Sequence, residues 1–142
     1  MLNNDTVVVD KDILKILVKT ANLYPDAGVF GPKICLYDEP NKIGFSPTYW
    51  DKRKCTFILK KYYDYDEVVE IDDIRGCAIF FKREVVEKIG LFDSKFFLVL
   101  EETDWCFRAK RAGFKILLVP KIKILHKGLC SFNGVGPLYW YG

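Results

Sequence analysis

Apolar positions recur at helical spacing early in the chain. Ile13, Leu14, Ile16, Leu17, Val18 and Leu23 make an apolar face, with Lys11, Lys15 and Lys19 on the wet side. The pattern predicts a helix that Asp10 or a neighbour caps and that Pro25-Asp26 ends. Before it, the β-branched residues 6–9 suit a short strand, or equally an extended lead-in to the helix. Residues 27–36 read as a buried strand interrupted by Gly31-Pro32, and 44–51, rich in Gly, Pro, Ser and Trp, as a loop. Residues 55–59 and 68–71 suit strands on either side of the acidic, tyrosine-rich stretch 62–66, and 77–81 suits another. A short helix is expected over 83–89, stopped by Gly90, and a longer one over 101–112, stopped by Gly113. Residues 114–119 form a strand, and 121–125 extend it past Pro120 towards His126. Alternating strands and helices without internal repeats make residues 1–142 a single α/β domain.

Composition narrows the class. A chain of 142 residues, 50% hydrophobic and 29% charged, is long enough and apolar enough to bury a core. A net charge of +3 does not by itself argue for nucleic acid. The lysines around Lys52-Arg53-Lys54 and Lys121, Lys123 and Lys127 alternate like a solvated face, so a nucleic-acid partner is not expected. No window approaches the ~18 apolar residues of a membrane span, and the N-terminus lacks the pattern of a secretory signal. The five cysteines are scattered, odd in number and without a CxxC pair, which favours reduced thiols in a cytoplasmic setting over structural zinc.

Candidate chemistry concentrates in Glu101-Glu102-Thr103-Asp104, three carboxylates directly behind the apolar run 96–100. Desolvating unpaired carboxylates is costly, so a metal, a bound cation or a general base would account for them. Acidic residues in a first helical turn also favour the helix dipole, which is the bland alternative.

Four landmarks in order resemble the second half of a glycosyltransferase family 2 catalytic domain, of the GT-A fold and close to its rhamnosyltransferase-like branch. They are Asn3-Asn4-Asp5-Thr6, similar to a variant Asp-x-Asp motif; Arg75-Gly76-Cys77 through Val85, with Ile89-Gly90-Leu91-Phe92-Asp93; Phe96-Phe97 through Glu101-Glu102-Thr103-Asp104 to Arg108 and Gly113; and His126, with Ser131 beyond. The resemblance spans residues 3 to about 131. It implies a GT-A-type mixed sheet flanked by helices, here without the N-terminal nucleotide-binding strands. The abrupt ends, Asn3-Asn4-Asp5 and Leu138-Tyr139-Trp140-Tyr141-Gly142, agree with such a fragment, and the chain alone is expected to turn over nucleotide sugars poorly or not at all. A non-catalytic fragment or interaction module of the same fold is the alternative.

The resemblance also implies a chemistry. Transfer from a nucleotide-diphosphate sugar to a saccharide or lipid-linked acceptor needs the departing diphosphate neutralised and the attacking hydroxyl deprotonated. Mg²⁺ or Mn²⁺ suits the first task. Asp5 and His126 are the candidate ligands and are expected to converge from opposite ends of the chain, with Asn3 in the place of the motif's first acid. The same four residues could instead simply turn the chain and cap the next helix. Glu102 aligns with the family's base, with Glu101 as its rival because the family often has Glu-Asp there. Arg75 could pair with phosphate, and Gly76 would let a ligand approach the backbone. Asp104 and Arg108 complete the substrate-binding candidates, although their spacing also makes an i,i+4 ion pair. Phe45, Tyr49, Trp50 and Trp105 could stack on sugar rings or sit in a core. The implied setting is cytoplasmic, compatible with peripheral association at the inner face of the membrane and with a homo-oligomer.

Overall fold

The structure, a computed structural model, describes residues 1–45, 48–59, 67–96 and 100–127. The expectations placed on 62–66, on 97–99, on Ser131 and on the aromatic C-terminus lie outside these residues.

Two long strands form the centre. β2 (Ala27–Leu36) and β7 (Lys115–His126) run parallel, paired from Ala27 opposite Lys115 to Leu36 opposite His126. Both are nearly continuous apolar runs, as strands covered on both faces must be. Successive residues of β7 point to opposite sides. Ile116 and Leu118 join Val29, Val85 and Trp105 in one core, and Leu117 and Val119 join Phe30, Leu17 and Ala21 in the other. Helix α1 (Ile13–Leu23) therefore covers one face, and α2 (Arg83–Ile89) and α3 (Glu101–Arg111) cover the opposite one. The result is the α/β layering expected from the sequence.

The predicted break at Gly31-Pro32 is a change of register rather than an interruption. Pro32 faces Val119 while Lys33 faces Lys123, so β7 gains length around Pro120 at the level where Pro32 also lies. Neither proline can donate to the ladder, and both sit at the slip. Pro120 consequently does not divide β7, and the two pieces expected at 114–119 and 121–125 are one strand of 12 residues.

Short antiparallel strands complete the mixed sheet. β1 (Thr6–Val8) pairs with the end of β7, β5 (Val69–Ile71) with its beginning, and β6 (Phe80–Phe81) with β2. The strand expected over 77–81 is shorter than its apolar pattern, and Ala78 makes an isolated bridge to Leu2.

The loop expected over 44–51 needs correcting. Its second half is β3 (Thr48–Asp51), which forms a hairpin with β4 (Thr56–Leu59). The Gly, Pro and Ser residues stand at the front of that stretch, and Thr48, Tyr49 and Trp50 have the shape of strand residues. Trp50 packs edge-on against Phe57 and Phe107, with ring centroids 5.1 and 5.5 Å away, and so fastens the hairpin to α3. Its backbone N–H donates to Asp72 Oδ2 at 2.7 Å, and Asp72 Oδ1 pairs with Lys110 of α3. Gly28 lets β2 lie close to α2. A Cβ there would stand 2.5 Å from Val85 Cγ2 and 2.8 Å from Phe114 Cδ1.

Candidate functional site

The C-terminal ends of β2 and β7 gather the candidate residues, the end of an α/β sheet where ligands usually bind. His126 closes β7, and β1 runs antiparallel to it with Thr6 opposite His126. Asp5, one residue earlier, is thereby brought to the imidazole, and Asp5 Oδ2 lies 3.1 Å from His126 Nε2. The two side chains converge from opposite ends of the chain, as expected. Asp5 Oδ1 is buried and has no hydrogen-bond partner among the described residues.

The Asn-Asn-Asp-Thr segment is also a turn. Thr6 Oγ1 donates to Asn3 O at 2.6 Å, whereas the cap position of α1 belongs to Asp12, so this segment does not cap that helix. Asn3 is exposed, and its backbone N–H donates to Cys77 O at 2.9 Å, which ties the turn to the Gly76-Cys77 segment.

Glu102 reaches the same segment from α3. Gly76 N–H donates to Glu102 Oε1 at 3.3 Å. Glu102 Oε2 and Glu101 Oε2 are both buried without a partner among the described residues. Burial raises the Glu102 carboxyl above its ordinary range, the charge of Glu101 adds to the rise, and the Gly76 N–H and Arg75 oppose it. Leu100, immediately before the helix, holds a left-handed φ of +70°, a conformation that costs a non-glycine residue energy beside this acidic turn. A Cβ at Gly76 would lie 3.4 Å from Glu102 Cδ, an ordinary contact. What the site takes from Gly76 is its N–H.

Arg75 and Phe45 bridge the two groups of acids. The Arg75 guanidinium carbon stands 4.8 Å from the centre of the Phe45 ring, which is 6.1 Å from the His126 ring. The buried Cys77 thiol is pushed up to about 12, first by burial and then by the charges of Asp5 and Glu102. Both carboxylates thus bear on one buried residue, and the metal and base candidates belong to one region.

The sequence reading missed Asp73. It is 5% exposed, accepts a hydrogen bond from Thr103 Oγ1 at 3.1 Å, and has its backbone carbonyl 3.4 Å from Thr48 Oγ1. Burial raises its carboxyl to about 6, with Arg75 pulling down and Glu102 pushing up. One signal was available, because the period of two that buries Ile71 puts Asp73 on the same face.

Other candidates have architectural partners. Trp105 is a core residue rather than a sugar platform: it lies between Phe81 and Phe92, and its Nε1–H donates to Gly90 O at 2.9 Å. Arg108 Nε donates to Asp104 Oδ2 at 2.7 Å, and its two terminal nitrogens donate to Ile89 O and Leu91 O at 2.8 and 2.9 Å. That fork locks the end of α2 to α3.

The Asp5–His126 pair stands at hydrogen-bonding distance, a spacing that would also suit two ligands of one divalent ion. Two ligands about 2.1 Å from an octahedral ion and at right angles lie about 3 Å apart, and the unpartnered Asp5 Oδ1 leaves that carboxylate with capacity to spare. Among the described residues no group of three or more His, Cys, Asp or Glu could enclose a metal. Asp5 and His126 are thus two residues of suitable type side by side, without an enclosing set around them among the described residues.

No family model matches the chain. Over 44 residues it is 34% identical to the dTDP-rhamnosyl transferase RfbF of Shigella flexneri, a match that covers 31% of this chain and 15% of that protein. The solved structure of A197 from STIV aligns with 88% of this chain and 55% of its own at a TM-score of 0.49 and 19% identity. The chain thus spans a small part of the curated relative's length, and the short match hints at a relationship with glycosyltransferases.

Proposed function

We propose that this chain carries the metal and acceptor side of an inverting, family 2 glycosyltransferase of the GT-A type. The observation that carries the reading is a pair of buried carboxylate oxygens without partners among the described residues, Asp5 Oδ1 and Glu102 Oε2, whose carboxylates both act on Cys77, as does Arg75. The short match to a dTDP-rhamnosyl transferase supports it.

In this reading Glu102 is the base. Its Oε1 is held by the Gly76 N–H, which leaves Oε2 free to take the proton of an acceptor hydroxyl. As the acceptor's hydroxyl oxygen attacks the anomeric carbon, the bond to the diphosphate breaks and the configuration inverts. A carboxylate whose proton affinity is raised by burial is the better acceptor for this step. Asp5 and His126 would hold Mg²⁺ or Mn²⁺, which supplies charge neutralisation to the leaving diphosphate. Arg75, held over Phe45, offers a second cation to the phosphates. Asp104 and Arg108, which hold α3 to α2, are kept out of the substrate contacts.

The test is an acceptor-dependent transfer assay of the full-length protein, with dTDP-rhamnose as the first donor because of the relative's name. Glu102→Gln keeps the shape and removes the proton acceptor, so kcat should fall by ~10²–10⁴-fold with donor binding little changed. Glu101→Gln should lose less. Near-normal kcat in Glu102→Gln beside a dead Glu101→Gln would move the base one residue upstream. Equal, modest losses in both would make the acidic turn architectural and end the reading.

A further inference from the structure

Asp73 is a charged residue buried beside the proposed base, and the mechanism above gives it no part. Three contacts fix its place. Thr103 Oγ1, in the first turn of α3, donates to Asp73 Oδ1 at 3.1 Å. Thr48 Oγ1 of β3 reaches the Asp73 carbonyl at 3.4 Å. Three residues on, Gly76 N–H donates to Glu102 Oε1 at 3.3 Å. The segment from Asp73 to Gly76 is therefore joined twice to the start of α3, once through Thr103 and once through Glu102 itself. We infer that Asp73 is a positioning residue for Glu102: through Thr103 it sets the first turn of α3 against the Gly76 N–H, and its carboxylate lies within electrostatic reach of the base. This inference rests on the reading of Glu102 as the base.

The surroundings make the charge consequential. Facing Asp73 are Arg75 from its own segment and Glu102 from α3; facing Glu102 are Glu101 and Arg75. Cys106 lies within the influence of Asp73, Glu102 and Lys110, and Cys77 within that of Asp5, Glu102 and Arg75. The burial that raises both carboxyls also strengthens their mutual repulsion. The charge of Glu102 adds to the rise of the Asp73 carboxyl, which stands at about 6. Once Asp73 has ionised, a proton arriving on Glu102 relieves a like-charge contact. Proton uptake from the acceptor hydroxyl is then more favourable than it would be beside a neutral residue.

The experiment is a carboxyl-carbon NMR titration of the protein without substrate, in the native sequence and in Asp73→Asn, Thr103→Val and Glu102→Gln. Asp73→Asn keeps the shape and an oxygen for Thr103. The inference expects the step near 6 to vanish in Asp73→Asn and to move down in Glu102→Gln. In Thr103→Val the Gly76 amide should shift as the helix start relaxes. An Asp73 titration unchanged by Glu102→Gln would overturn the inference, because two uncoupled carboxyls cannot tune one another. If Asp73→Asn does not fold, Glu102→Gln alone decides. The transfer assay separates the two ideas: the acid limb of kcat/KM should move down in Asp73→Asn. An unmoved limb, with Glu102→Gln inactive, would refute this inference and leave the function reading standing. An active Glu102→Gln enzyme would refute that reading instead.

Discussion

Replacing Asp73 by Asn should raise stability at neutral pH and have little such benefit in acid. The native carboxyl is 5% exposed, and its folded pKa of about 6 compares with an ordinary 3.8. Between those values the folded chain keeps a proton that the unfolded chain has released. Stability therefore falls as pH rises through that window and stays at the lower level above it. A difference of roughly two pH units corresponds to about 3 kcal/mol. Asn never ionises, so its advantage over Asp should grow by about that amount between pH 3.5 and pH 7.5. The hydrogen-bond terms, such as the quality of the Thr103 bond and the fate of the amide N–H₂, are similar at both pH values and cancel in the comparison. Urea unfolding of both proteins at the two pH values measures the change. A stability difference that does not vary with pH would show that Asp73 is not held ionised at a cost, and would remove the ground for giving it a part beside Glu102. The expected sign fits a functional residue, since proteins commonly sacrifice stability at sites that need a poised charge.

Further outcomes follow from packing. Gly28→Ala should destabilise by ~1–3 kcal/mol, because its Cβ would press on buried Val85 and on Phe114; thermal unfolding within experimental error of the native protein would contradict that. Arg108→Ala should cost about 1–2 kcal/mol through the loss of the bonds to Asp104, Ile89 and Leu91, and Arg108→Lys should restore little, since an ammonium cannot make the same fork. A loss below about 0.5 kcal/mol in chemical denaturation would reduce this fork to an ordinary surface ion pair.

Most of the layering was legible because periodicity carries it. The helical repeat from Ile13 to Leu23 and the largely apolar runs of β2 and β7 point to a sheet covered on both faces. The strand through Pro120 was less legible, because a proline reads as a break unless a second proline, Pro32, lies at the same level of the partner strand. The β3–β4 hairpin was half hidden by the Gly, Pro and Ser residues ahead of Thr48. At the site, the convergence of Asp5 with His126 was expected because both stand at strand ends, and the antiparallel register of β1 on β7 supplies its physical cause. Asp73 was missed because the Asp72-Asp73 pair looks like the polar end of a strand. Its burial depends on Thr103 and on the hairpin residue Thr48, which are distant in sequence.

The most direct measurement follows Mn²⁺ into the protein by NMR. Substoichiometric Mn²⁺ with dTDP should first weaken the signals of residues nearest the ion, namely His126, Thr6 and the Gly76-Cys77 amides, while Leu14 and Val18 on the outer side of α1 persist. Asp5→Ala should abolish that preference. Signal loss that begins elsewhere, or that is the same in Asp5→Ala, would contradict a metal-assisted transfer site at the ends of β1 and β7.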